Sequence, residues 1–164
     1  MDTSTFYATS SALCFTLLGF WWVVVQFRHA ELMRNRGLRR FAFLVSLHFI
    51  IPGLVSVASL IASGPLWRVA FGLAGVAGIA AVVVGMRDLE GHRGPLRDLG
   101  RGAWIGLPLY AFLTLIAVVP ELARTSLGLE PLQVEGFVLV VILTLGMLLA
   151  WQLFTRPLEE AGTG

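Results

Sequence analysis

An all-α polytopic integral membrane protein is what this sequence predicts: five transmembrane helices in one domain (1–164), N-terminus outside and C-terminus cytoplasmic. Three observations carry that expectation. Of 164 residues, 57% are hydrophobic and 13% charged, with a mean hydropathy of +0.82; a soluble domain carries about 25% charged residues. The apolar residues gather into five runs, and a bilayer core about 30 Å thick needs about 20 apolar residues in helix. The basic residues, all Arg, lie almost entirely between runs rather than within them. Barrel strands alternate in polarity, and these runs do not.

The first span is 7–27. The residues before it carry Asp2 and no Arg, unlike the basic start of a signal peptide, so the segment is expected to be retained. The basic stretch 28–40 follows. From Arg28 to Arg36 it has no Pro or Gly, and Glu31 stands three residues from both Arg28 and Arg34. Such spacing favours a solvated continuation of the first helix, with Gly37 as its cap. Its Arg residues suit the headgroups of anionic lipid, or a cytoplasmic partner docked there.

The second span, 41–62, turns tightly through Ser63, Gly64 and Pro65 into the third, 66–86. A second basic loop, 87–101, leads to the fourth, 104–119. A mixed segment then precedes the fifth, 132–154, and a short polar tail ends the chain. Ten Arg residues fall on the side of these two basic loops and the C-terminus, against Arg68 and Arg124 on the other. The positive-inside rule therefore sets the orientation. Trp21, Trp22, Trp104 and Trp151 are expected at the cytoplasmic interface, with Tyr7 and Trp67 at the external one.

Polar residues at membrane depth are few. On the second span His48, Pro52, Ser56, Ser59 and Ser63 recur at four, four, three and four residues and so share one face. Pro52 cannot donate to the His48 carbonyl, and a polar stripe with a freed carbonyl should face protein or water rather than lipid. It reads as the wall of a hydrated path, or as a packing face whose hydroxyls bond back to their own helix. His48 is expected to bond a hydroxyl or carbonyl on another helix. Small residues on the third span form two rows, Ala70, Ala74 and Gly78, and Ala77, Ala81 and Gly85, with Gly72 and Gly75 adding smooth surface. Rows of this kind let membrane helices approach closely, which favours a homo-oligomer. Glu121, Glu130 and Glu135 gather near the external side, either as a cation-attracting mouth or as acids favoured by a helix N-terminus.

The absences narrow the function. Without Lys there is no Schiff base and no P-loop lysine. One membrane-depth His does not supply the two axial ligands of a buried b-type haem. His29, His48 and His92 have no metal spacing, and Cys14 has no second Cys. No catalytic motif, metal or cofactor is expected, and no nucleic-acid partner, since topology accounts for the Arg residues. The expected function is a small homo-oligomeric channel or small-solute/ion transport protein of the plasma membrane, its path along the second span. The alternative is a non-catalytic accessory or scaffold subunit of a larger membrane complex.

Overall fold

The computed structural model describes residues 2–61, 65–90 and 102–155, and every regular element among them is helical. The elements are α1 (Thr3–Phe27), α2 (His29–Arg34), α3 (Arg36–Ile61), α4 (Leu66–Glu90), α5 (Gly106–Val118), a π-helical turn (Ala123–Leu127) and α6 (Pro131–Phe154). Ser63, His92, Arg93, Arg97, Arg101 and Arg156 lie outside the described residues, as do the Ser63-Gly64 turn and most of the second basic loop.

Four helices are long and apolar enough to cross a membrane: α1, α3, α4 and α6. The fourth expected span forms only the 13 residues of α5, a rise of about 20 Å. A turn at Trp104–Ile105 precedes it. It ends because Pro120 drives the residue before it out of the α region: Val119 has φ −121° and ψ 72°.

The helices form an arc α1–α6–α5–α4 around α3, which touches α1, α4 and α6. The central position of α3 follows from its composition: Phe41, Leu44, Val45, His48 and Phe49 are all buried. On the outer faces Phe20, Trp22, Phe43, Leu73, Phe137 and Trp151 are exposed. Apolar exposure on that scale is what a helix bundle in lipid presents.

Two boundaries depart from expectation. The first helix does not run through the basic stretch to Gly37; it stops at Arg28 (φ −100°, ψ 14°), and α2 starts anew. Leu32 supplies the cause: apolar among charges, it is 4% exposed and holds α2 against the core. Gly37 caps nothing, because α3 already begins at Arg36, where the Asn35 side-chain oxygen accepts the Leu38 N–H at 3.1 Å. That is an ordinary N-cap.

Two arginines close the ends of other helices. Arg28 donates to the carbonyls of Leu153 and Phe154 at the C-terminus of α6 and pairs with Glu31. Arg68 donates to Ala117 and Val118 at the C-terminus of α5, at 2.9 and 2.7 Å. The final carbonyls of a helix lack intrahelical donors and carry the negative end of its dipole, so a guanidinium satisfies both needs. These contacts define an Arg28 end of the bundle and a loop end that holds Arg68 and segment 119–130.

Trp21 is turned into the bundle rather than outward. It is 4% exposed and donates from Nε1 to Ser46 Oγ at 3.0 Å and the Ala42 carbonyl at 3.3 Å, joining α1 to α3. Trp21→Phe should cost about 1 kcal/mol, the net value of one such bond. Ser46 keeps its own bond to Ala42. Thermal unfolding in detergent checks this; a loss as large as that of Trp21→Ala would mean that the indole acts through its bond rather than its packing.

Candidate functional site

The polar face of α3 points inward. His48 and Ser56 are fully buried and Pro52 is buried beside them, while Ser59 is half-buried. Ser59 donates to the Ser56 carbonyl at 2.8 Å, the backbone bond that a purely structural stripe would show. His48 Nδ1 lies 2.9 Å from the Leu44 carbonyl of its own helix, so the expected bond to another helix is not made through that nitrogen. Nδ1 is reached locally because Leu44 stands one turn before it, the usual back-bonding distance on a helix. Nε2 has no partner, and neither has Ser56 Oγ.

Two helices, α5 and α6, close on the His48 ring. Gly146 of α6 is so close that a Cβ there would stand 2.7 Å from the His48 Cβ, and one on Gly106 would stand 3.3 Å from Nε2. Tyr110 of α5 meets the ring edge-on at 5.7 Å between centroids, and its buried hydroxyl also lacks a partner. The room for Tyr110 comes from α4, where a Cβ on Gly78 would overlap its ring. His48, Tyr110 and Ser56 thus bring three unpartnered polar atoms into the interior of the bundle. Buried polar groups in folded proteins almost always have a protein or water partner.

The small residues of α4 are used within the chain. Gly72, Gly75 and Gly78 face α5, and Gly85 meets Leu44 of α3. Of the two expected rows, Gly78 and Gly85 are buried, Ala70, Ala74 and Ala81 are half-buried and Ala77 is exposed. Gly75 contributes more than the sequence suggested, because its partners are the backbone of Tyr110 and Thr114.

The three external acids separate. Glu121 and Glu130 are exposed and pair with Arg124 at 2.9 and 3.4 Å. Glu130 is also the N-cap of α6 in a capping box with Gln133, which accounts for it structurally. Glu135 does not join them at a mouth: its side chain is fully buried and neither oxygen has a hydrogen-bond partner. Sequence position alone put it at a helix end; what hides it is α1, whose Tyr7 donates to the Leu132 carbonyl at 2.7 Å and whose Phe6 covers Gly136.

Gly146 packs on His48, so Glu135, eleven residues earlier on α6, stands about 16 Å nearer the loop end. Ser56, eight residues after His48 on the opposed α3, stands about 12 Å that way. By axial level, His48, Ser56 and Glu135 therefore succeed one another towards the loop end of the bundle. Among the described residues no three His, Cys, Asp or Glu side chains gather as a metal site. The chain matches no protein-family model, no curated protein and no solved structure.

Proposed function

We propose that this protein is a small transport protein of the plasma membrane that moves an ion or small solute along the polar side of α3, working as a homo-oligomer. One observation carries the reading: His48, wholly enclosed and edge-on to the Tyr110 ring, keeps an unpartnered Nε2, and the buried hydroxyls of Tyr110 and, further along α3, of Ser56 are unpartnered too. Ionisable and polar groups inside a membrane bundle are expensive and mark solute or proton routes. Glu135 supplies the embedded acid that such a route needs for coupling. The topology that goes with it has five crossings, N-terminus outside and C-terminus cytoplasmic, the crossing of α5 being completed by non-helical residues on either side. Arg28, Arg34, Arg36, Arg39 and Arg40 then lie on the cytoplasmic side, near anionic lipid.

Purified protein in liposomes should pass a small ion or solute, and His48→Leu or Ser56→Leu should cut that flux several-fold while leaving the protein folded. Absence of flux for every small ion tried would refute the transport reading.

A second reading, the accessory subunit of a membrane complex, draws on an apolar groove of about 400 Å³ between α1, α3 and α6, lined by Leu17, Phe20, Trp21, Phe49, Met147 and Trp151. A partner's transmembrane helix would fit such a surface. Affinity purification in mild detergent separates the two: one band in a defined homo-oligomer favours transport, and stoichiometric partners favour the subunit.

A further inference from the structure

We propose that Glu135 is a proton-binding site, the carboxyl that takes up and releases the proton coupled to transport through this bundle. The proposal rests on the transport reading for its purpose but not for its chemistry.

The ordinary roles of a carboxylate near a helix N-terminus are already filled. Glu130 caps α6 with Gln133, and Arg124 is held by Glu121 and Glu130 on the exposed side. Arg68, the other described cation of the loop end, is committed to the carbonyls of Ala117 and Val118. Glu135 is left four residues inside α6, with no exposed surface and no hydrogen bond to either oxygen. From α1, Tyr7 lies within electrostatic reach of the carboxyl, its hydroxyl already given to Leu132. From α3, the unpartnered Ser56 stands within about one helical turn of the same level, and His48 lies further in. Tyr110 of α5 belongs to the His48 level.

An ionised carboxylate in such surroundings is strongly unfavourable unless a cation accompanies it. A hard divalent cation such as Ca2+ or Mg2+ takes six or more oxygen ligands, and no acidic partner joins Glu135 in a metal-holding group among the described residues. The remaining cation is the proton. Release breaks the carboxyl O–H bond, leaves its electron pair on oxygen and passes the proton to a water molecule that reaches the carboxyl from the loop end, where α6 begins about 6 Å away along its axis. Uptake reverses the step.

Dicyclohexylcarbodiimide tests this on the full chain in lipid vesicles. It adds to a protonated carboxyl in apolar surroundings, and the adduct is located by peptide mass spectrometry. Glu135 should be labelled while Glu121 and Glu130 are not. Labelling should fall as the pH is raised, be lost in Glu135→Gln, and stay unchanged when sodium is replaced by choline. No labelling at Glu135 overturns the proposal, and so does protection by sodium at constant pH, which would make the site one for a metal cation. Labelling is read without any flux, so the two readings fail separately. Flux with an unlabelled Glu135 removes the proton site alone, whereas labelling without flux removes transport and keeps the site.

Discussion

Valine at Gly75 or Gly78 should separate α4 from α5 and cost the protein at least 3 kcal/mol, the upper part of the range for overpacking. A Cβ on Gly75 would stand 2.9 Å from the Tyr110 carbonyl oxygen and 3.0 Å from the Thr114 nitrogen, besides striking the Thr114 hydroxyl. Backbone atoms in the middle of a helix do not swing aside, so the whole of α5 must shift. At Gly78 the obstacle is the ring of Tyr110, 1% exposed and wedged against His48. Alanine is the finer probe. Its overpacking, about 1–3 kcal/mol, is opposed by about 1 kcal/mol of better helix propensity, which leaves a loss of about 0–2 kcal/mol. Valine has the larger volume without that compensation. Ala77→Leu, on the exposed face of the same helix, should be close to neutral. The measurement is thermal unfolding of each variant in one detergent; a Gly75→Val protein as stable as wild type would mean that α4 and α5 are not in contact at these glycines. Because Tyr110 leans on His48, Gly78→Ala should also reduce flux, a link between packing and function that Ala77→Leu does not share.

How far the sequence reached depends on whether a feature is set by spacing or by what folds over it. The inward stripe of α3 was legible because helical periodicity puts His48, Pro52 and Ser56 on one face whatever surrounds them. The burial of Glu135 was not, since it depends on α1 crossing the start of α6 from over a hundred residues away. The same holds for Gly75: its smoothness is visible, but its partners Tyr110 and Thr114 are on another helix. The length of α5 was not legible either, because the run 104–119 is apolar throughout, while the turn at 104–105 and the pull of Pro120 are conformational. Trp21 and the Arg residues mislead in a different way. A tryptophan near a helix end suits an interfacial belt and a buried bond to Ser46 equally well, and an arginine beside a span suits topology and helix capping alike. Only the fold decides between two such causes.

Arg28 is where that ambiguity has the largest consequence. If it served topology alone, four other arginines within twelve residues would replace it and Arg28→Ala would be silent. The structure gives it a further role: 8% exposed, it holds Glu31 with Nε at 2.7 Å and reaches the last carbonyls of α6. Hydrogen bonds to a charged group contribute about 1.5–3 kcal/mol each, and a cation at a helix C-terminus adds about 0.3–1 kcal/mol. Partial water access at this end lowers the total, so Arg28→Ala should cost about 2–3 kcal/mol and loosen both the α1–α2 corner and the end of α6. Arg28→Lys should recover only part of it, because one ammonium does not present the planar fork that serves a carboxylate and two carbonyls together. Arg34→Ala, with comparable charge loss, should stay near wild type. Hydrogen exchange gives the spatial readout: the amides of Leu149 to Phe154 should lose protection in Arg28→Ala while those of α4 keep theirs. Equal protection of the α6 terminus in both variants would return Arg28 to the topological role.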